Sequence, residues 1–462
     1  MFQPPCFDAE VLRRYDRPGP RYTSYPTAPQ FHTGFGETEW LQALRESNHD
    51  PIPRPLSLYL HVPFCTSPCF YCGCNKVITR DRSRGERYVE QLSREIRRTG
   101  ALIDRDRRVV QLHFGGGTPN FLEPTQLGVL MEALAAAFHL DATEARDFSI
   151  ELDPRAIRPD EVPKLAELGF NRASLGVQDF DPEVQRAVNR MQSVEQTEAI
   201  LAACRDAGMR SINIDLIYGL PRQRPETFAA TLERVIAQRP SRIAVYGYAH
   251  LPQLFRPQRR IDPAELPDAE ARLALLALAI GKLADAGYQY IGMDHFALPD
   301  DPLAVAQRQG TLQRNFMGYT THRDCDLIGM GVSAISHVGE CFAQNHRDLG
   351  SWSAAVEAGR LPVWRGLRMD ADDGLRAALI QALMCQGEID IRGIESEFGI
   401  SFESYFRDAL ERLQPLIDDG LVERLPDRIR ALPRGRMLLR NVAMCFDRYL
   451  GVQEPARFSR AI

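Results

Sequence analysis

The chain has no uninterrupted apolar run near the ~20 residues that a membrane-spanning helix needs, and its first twenty residues, MFQPPCFDAEVLRRYDRPGP, hold no apolar stretch of the signal-peptide kind. A membrane span and secretion are therefore not expected, and the cytoplasm is. Positive charge is not in excess either: 56 Lys and Arg face 61 Asp and Glu, giving a net charge of -5 and a pI near 6.1. That balance is a poor footprint for a nucleic-acid partner. Ten cysteines in 462 residues are too few for a disulfide scaffold. The hydrophobic share of 44% and mean hydropathy of -0.29 exclude a disordered chain and suit one large domain with a smaller companion.

What cysteine there is, is unevenly spread. Cys65, Cys69, Cys72 and Cys74 crowd one short stretch, whereas Cys6, Cys204, Cys325, Cys341, Cys385 and Cys445 are scattered. Scattered thiols in such a chain read as small buried hydrophobes. The cluster reads as a metal site.

From Leu56 to about His250, short β-branched or aromatic runs alternate with helical patterns. Six strands are expected: LSLYLHV from Leu56, VVQLHFGG from Val109, FSIELDP from Phe148, RASLGVQ from Arg172, INIDLIYG from Ile212 and RIAVYGYAH from Arg242. Repeated βα units of this kind make an α/β fold with a parallel sheet, read here as a partial (β/α)6 TIM-like barrel. An open doubly wound sheet is the competitor, but cysteines occupy the place of its glycine-rich turn after the first strand. The expected layout is an N-terminal extension covering the active site at 1–50, the barrel at 51–300, loops and elements closing its mouth at 301–369, and a helical, winged-helix-like domain at 370–462. Chemistry belongs at the C-terminal ends of parallel strands, where Cys65, Gly115-Gly116-Gly117-Thr118, Glu151, Asp153, Gln178, Asp215 and Ala249-His250 fall.

Cys65, Cys69 and Cys72 have the spacing C-x3-C-x2-C in a loop after the first strand. Zinc and iron-sulfur are the two readings. Structural zinc is normally closed by four ligands, whereas three cysteines on a 4Fe-4S cluster leave one iron open. Cys74 follows Cys72 by only two positions and reads as a neighbouring thiol. A zinc-stabilised winged-helix regulator is the distant alternative.

The cysteine loop, with an aromatic before its third cysteine, resembles the radical S-adenosylmethionine (SAM) motif. GPRYTSYPTA from Gly19, YLHVPFC from Tyr59, FYCGCNK from Phe70, HFGGGTPN from His113, IELDPR from Ile150, LGVQDF from Leu175, VNR from Val188, NIDLIYGLP from Asn213, YAHLP from Tyr248, GMDHFA from Gly292 and LIGMGVSAIS from Leu327 together resemble the oxygen-independent coproporphyrinogen III oxidase family. The likeness continues to CFDRYL and FSRAI at the end of the chain. It implies a 4Fe-4S cluster on Cys65, Cys69 and Cys72, two SAM molecules, and conversion of two propionates of coproporphyrinogen III to vinyl groups by radical hydrogen abstraction.

The resemblance also implies residue roles. Tyr59, Gly116, Glu151 and Ile335 match positions serving the cluster-bound SAM; Tyr71, Gly117, Thr118, Gln178, Arg190, Asp215 and Ala249 match those serving the second. Tyr59, Glu151, Gln178 and Arg190 are the expected catalytic set. Glycine at 116 and 117 suits close approach by a ligand. Arg21 and the group Arg256, Arg259 and Arg260 are candidates for substrate carboxylates. A low-potential donor such as flavodoxin or ferredoxin, an unidentified electron acceptor and a monomeric chain complete the expectation. A haem-binding chaperone-like relative without decarboxylase activity is the nearest alternative, although such relatives typically lack Cys74 and GPRYTSYPTA. One departure stands out: Met317 occupies a position where related sequences often carry glutamine.

Overall fold

A computed structural model describes residues 5–322 and 324–450; the FSRAI run at 458–462 lies outside the described residues. The chain divides into two compact units. One comprises Phe31–Leu275 and Asp324–Arg368, and the other gathers the described parts of Met1–Gln30, Leu276–Arg323 and Met369–Ile462.

The first unit holds the six expected strands: β1 (Leu56–Val62), β2 (Arg108–Gly116), β3 (Asp147–Leu152), β4 (Arg172–Gln178), β5 (Ser211–Tyr218) and β6 (Arg242–Gly247). Each pairs in parallel with the next, forming the partial barrel. Period-two alternation sorts their side chains. Ala173, Leu175 and Val177 of β4 are buried, while Ser174, Gly176 and Gln178 take the other face. The register sets Tyr59 beside His113, His113 beside Ser149, Glu151 beside Ser174, and Ser174 beside Asn213. One face of the sheet is thereby polar along its width.

The region from Arg314 to His337, which reads in the sequence as polar, glycine-rich loops, departs from that reading. It contributes β7 (Asp326–Met330), parallel to β1, and the start of an antiparallel extension made of β8 (Ile335–Val338), β9 (Cys341–Asn345) and β10 (Val363–Arg368). Glycine here marks close approach rather than a turn. A Cβ at Gly329 would run into the Ile335 carbonyl, and Gly329 is the register partner of Tyr59.

Helix Ser83–Gly100 packs on this sheet through Tyr88, Leu92 and Ile96, spaced four apart on one face. Burial of each such side chain contributes about 2 kcal/mol. Beside that face, Glu95 is 3% exposed. It accepts hydrogen bonds from Gly331 N and Trp352 Nε1 at 2.9 Å and from Asn345 Nδ2 at 2.7 Å. A second buried charge, Arg107, donates to Asp326 at 2.5 Å, to Ser47 Oγ at 3.0 Å and to the Arg54 carbonyl at 2.9 Å.

In the second unit, helices Ala371–Gln386, Ile391–Phe398 and Arg407–Asp418 accompany a three-stranded sheet ordered Glu388–Asp390, Arg428–Ala431, Val422–Arg424. Two of its strands are legible in LVERLP and RIRALP; the three-residue Glu388–Asp390 strand between helices is too short to leave a pattern. The GPRYTSYPTA segment is pinned within this unit: Arg440 Nε donates to the Pro20 carbonyl at 3.0 Å and Tyr22 donates to Asp447 at 2.9 Å. Among the described residues, no helix is long and apolar enough to cross a membrane.

Burial pushes the Glu95 carboxyl up to about 7 despite its three donors. The folded chain resists its ionisation, so the stability present below about pH 4.5 is lost as pH rises through about 7. Urea unfolding at pH 5 and pH 8 should differ through this group by up to about 3 kcal/mol, and Glu95→Gln should flatten the slope. An unchanged slope in the variant would assign the pH dependence elsewhere.

Candidate active site

At the C-terminal rim of the barrel strands lies a cavity of about 270 Å³. Cys65, Cys69 and Cys72 line it together with Tyr71, Gly116, Gly117, Thr118, Glu151, Gln178, Arg190 and Asp215. Eleven expected site residues therefore share one wall system, and three stand behind it. Tyr59 stacks on His113 with ring centroids 5.8 Å apart and shares a 3.0 Å hydrogen bond with His61 Nδ1. Ile335 opens β8 beside Gly329. The Ala249 carbonyl accepts from Gln258 Nε2 at 3.1 Å, and the same amide donates to the Tyr71 carbonyl at 2.9 Å.

The cysteine loop is held from both sides. Phe64–Cys65 pairs in parallel with Val77–Ile78, and Phe70 N donates to the Val188 carbonyl at 2.9 Å. Asn189 Nδ2 reaches the Pro68 carbonyl at 2.8 Å. Thr118 donates to Cys65 Sγ at 3.2 Å, and Arg155 and Arg190 each point a guanidinium nitrogen at Cys69 Sγ from 3.6 Å. Burial pushes the Cys65 thiol up to about 11, while a hydrogen bond from Cys74, helped by Lys76, holds Cys72 down at about 5. Cys74 moves upward in consequence. Among the described residues, no three His, Cys, Asp or Glu side chains are grouped tightly enough for a single metal ion. A cluster of four irons takes thiolates held further apart.

Three carboxylates lie around the cavity in different electrical states. Asp153 is wedged between two arginines: Arg155 Nη2 donates at 2.6 Å and Arg190 Nη1 at 3.3 Å. Burial would raise its carboxyl, but the guanidinium groups outweigh it and hold it at about 2. Glu151 is likewise raised by burial, yet His113 at 3.3 Å and the Gly116 N–H at 3.1 Å bring it below its ordinary value. Asp215 has only neutral donors, Asn213 Nδ2 at 2.8 Å and Ser174 Oγ at 3.0 Å. Burial and the Glu151 charge push it up to about 6.

Glycine at 116 and 117 lines the cavity and also answers a packing constraint. A Cβ at Gly117 would meet the Pro63 backbone at 2.7 Å, and one at Gly116 the His61 ring at 2.8 Å. The space is filled by the protein itself, so these glycines let β2 close on the cysteine loop. Gln178 sits in the left-handed region at φ 70, beside a register shift in β4, and Arg190 donates to the Gly176 carbonyl next to it. Strain of this kind persists where the surroundings impose it.

Arg155, Lys76, His61 and His113 are functional candidates that residue-by-residue reading passed over, although IELDPR, FYCGCNK, YLHVPFC and HFGGGTPN contain them. Met317 lies in the turn between strands Gln313–Asn315 and Gly318–Thr320, where its N–H donates to Asn315 Oδ1 at 2.9 Å. Arg21 pairs with Asp294 in the same unit. Arg256, Arg259 and Arg260 are exposed, and Arg260 lies over the Phe70 ring at 5.3 Å.

The radical SAM superfamily description matches residues 59–235, and the HemN C-terminal domain description matches residues 369–438. A curated relative from Pseudomonas aeruginosa, an oxygen-independent coproporphyrinogen III oxidase, is 52% identical over 456 residues, covering 99% of each chain. The Escherichia coli protein of that name is 47% identical, covering 99% of this chain and 98% of its own. The chain belongs to the oxygen-independent coproporphyrinogen III oxidase family. A solved structure of the Escherichia coli coproporphyrinogen III oxidase, described as a radical SAM enzyme, matches with a TM-score of 0.92 at 46% identity, over 97% of this chain and 100% of that one.

Radical SAM enzymes of this family use a 4Fe-4S cluster and SAM. The residues fit both. The three expected ligand thiols and Cys74 line one cavity, three carboxylates in different charge states face it, and the buried Nε of Arg190 has no protein partner among the described residues.

A Gln178→Gly variant separates strain from ligand contact. It should unfold no more easily than the parent, because glycine accepts φ 70 without the cost of order 1 kcal/mol that a side chain pays. SAM affinity, measured by equilibrium dialysis, should drop about tenfold, as loss of one hydrogen bond to a charged ligand predicts. Undiminished affinity would remove Gln178 from the site.

Proposed function

We propose that this chain carries out the oxygen-independent oxidative decarboxylation of two propionates of coproporphyrinogen III to vinyl groups, giving protoporphyrinogen IX in haem biosynthesis. The observation that carries the reading is that the C-x3-C-x2-C thiols share one cavity with Glu151, Asp215, Gln178 and Arg190, in a chain related over 99% of its length to proteins of that name. When bound, the cluster and SAM supply one-electron cleavage of the sulfonium and hydrogen abstraction from the propionate β-carbon.

Cys65, Cys69 and Cys72 hold the cluster, with Cys74 donating to Cys72 rather than ligating. Two SAM molecules are bound. Tyr59, Gly116, Glu151 and Ile335 serve the one on the cluster, and Tyr71, Gly117, Thr118, Gln178, Arg190, Asp215 and Ala249 serve the second. Glu151, ionised, accepts from ammonium or ribose hydroxyl groups; Asp215, poised near 6, does so in a charge-dependent way. Arg190 is aimed by Asp153 and offers its remaining N–H to a carboxylate. Arg256, Arg259 and Arg260 receive substrate carboxylates. A low-potential protein such as flavodoxin or ferredoxin donates the electron, an external acceptor takes the last one, and the enzyme works as a monomer in the cytoplasm, a compartment that its ten free thiols suit.

Anaerobic incubation with coproporphyrinogen III, SAM and a reductant should yield protoporphyrinogen IX with one deoxyadenosine per vinyl group formed. Far less deoxyadenosine than product would overturn the two-SAM assignment. No product with ample SAM cleavage would point to a chaperone-like role.

Met317 offers a second check. A thioether cannot replace the hydrogen bonds of an amide, yet it packs well against a ring. Turnover by the native chain and a change within about threefold in Met317→Gln are expected, since one lost packing contact is worth under about 1 kcal/mol. A native chain inactive until glutamine is restored would show that the departure had cost the reaction.

A further inference from the structure

The strand Val77–Ile78 lies directly outside the cysteine loop. Its register places Ile78 opposite Cys65, and Thr79 N donates to the Cys65 carbonyl at 2.9 Å. Val77 is half-buried whereas Ile78 is 41% exposed, so the outer side of this strand presents an apolar residue one strand away from a cluster ligand. Around it positive charge is in excess. Residues 76–87, KVITRDRSRGER, hold five cations against two carboxylates in a chain with net charge -5. Arg347, from a distant part of the sequence, joins them: Asn75 Nδ2 donates to its carbonyl at 2.9 Å.

Lys76 and Arg82 are tied to the fold through the Cys72 and Phe121 carbonyls, but ion pairing does not account for the others. Arg80, Arg84 and Arg347 make no carboxylate ion pair within 4 Å among the described residues. Arg82 and Arg84 sit at the start of helix Ser83–Gly100, the end at which the helix dipole disfavours positive charge. Two separate segments thus bring unpaired positive charge to the edge of the loop that must receive an electron from outside.

We propose that the surface formed by Ile78, Arg80, Arg84 and Arg347 docks a small acidic one-electron carrier protein and is the side from which the cluster is reduced. This rests on the radical SAM reading above and adds the place and chemistry of the donor. An acidic carrier finds charge complementarity there, and Ile78 gives a central apolar contact of the kind that anchors transient interfaces. The path then runs from the docked carrier through the paired strands to Cys65, away from the cavity that substrate occupies. Exposed complementary charges act chiefly on encounter, so the interaction should weaken steeply with salt.

The test uses the reconstituted full-length enzyme and a reduced flavodoxin as probe, with dithionite as a charge-independent comparison. The triple variant Arg80→Glu/Arg84→Glu/Arg347→Glu is expected to weaken flavodoxin binding, measured by titration calorimetry, at least tenfold. It should slow flavodoxin-driven bleaching of the cluster by a similar factor and leave dithionite-driven bleaching and SAM cleavage within about twofold of the parent. Ile78→Ser alone should weaken binding without changing its salt dependence. Equal loss with both reductants, or undiminished flavodoxin binding in the triple variant, would overturn the docking surface. So would an oligonucleotide bound as tightly as flavodoxin, or a self-association that the triple variant abolishes in sedimentation. A parent enzyme that is reduced by flavodoxin and cleaves SAM but makes no protoporphyrinogen would fail the proposed reaction while leaving the docking surface standing.

Discussion

Asp153 is held between two guanidinium groups, and the wall on which the cysteine loop rests depends on that pairing. A buried carboxylate beside a single arginine barely recovers its desolvation cost. With Arg155 and Arg190 both donating, ionisation is retained down to about pH 2, and each arginine still has a nitrogen 3.6 Å from Cys69. The triad therefore converts the end of β3 into a fixed positive face toward a thiolate-bearing loop. It also reaches β4, because Arg190 bonds the Gly176 carbonyl and so holds the neighbouring Gln178 in its left-handed conformation. Strain at Gln178 is offset by a charge pair at the end of the neighbouring strand.

The cavity's chemistry follows from a period of two. Every second residue of β1 to β5 that is not apolar lies on the same face, so Tyr59, His113, Ser149, Glu151, Ser174, Asn213 and Asp215 form one connected polar surface. Its two carboxylates differ because their partners differ. Glu151 has an imidazole and a backbone N–H; Asp215 has a hydroxyl and an amide. The same burial that leaves Glu151 charged leaves Asp215 close to neutrality at mildly acid pH. Like charges close together resist simultaneous ionisation, and a cationic ligand between them removes the conflict.

The six barrel strands and the cysteine loop were legible because alternation and spacing are local signals. What escaped was tertiary in origin. β7 reads as a loop since DLIGM carries a glycine, and only the proximity of the Ile335 carbonyl explains why nothing larger fits at Gly329. The packing constraint on Gly116 and Gly117 escaped for the same reason: the sequence shows that a side chain is missing, not that Pro63 and His61 occupy its place. Asp153 was visible at a strand end, but its importance lies in Arg155 and in Arg190, thirty-seven residues on. Pairings across that separation leave no periodicity.

A loop that carries a redox centre must satisfy two opposed demands. Toward the cavity it needs enclosure, which keeps reactive carbon centres from water; away from it, it needs an approach for electrons. Strand Phe64–Cys65 meets both through its position, with Thr118 and the Asp153 triad on the cavity side and the short Val77–Ile78 strand as its other neighbour. Two residues of pairing are enough to shield the backbone of Cys65 while keeping the path to the surface one strand thick. The sign of the charge then divides the labour. Carboxylates collect inside, along the cavity, and unpaired arginines collect outside, where a negatively charged donor would approach. A net-negative chain repels such a donor over most of its surface, which makes the local cationic edge the favoured landing place.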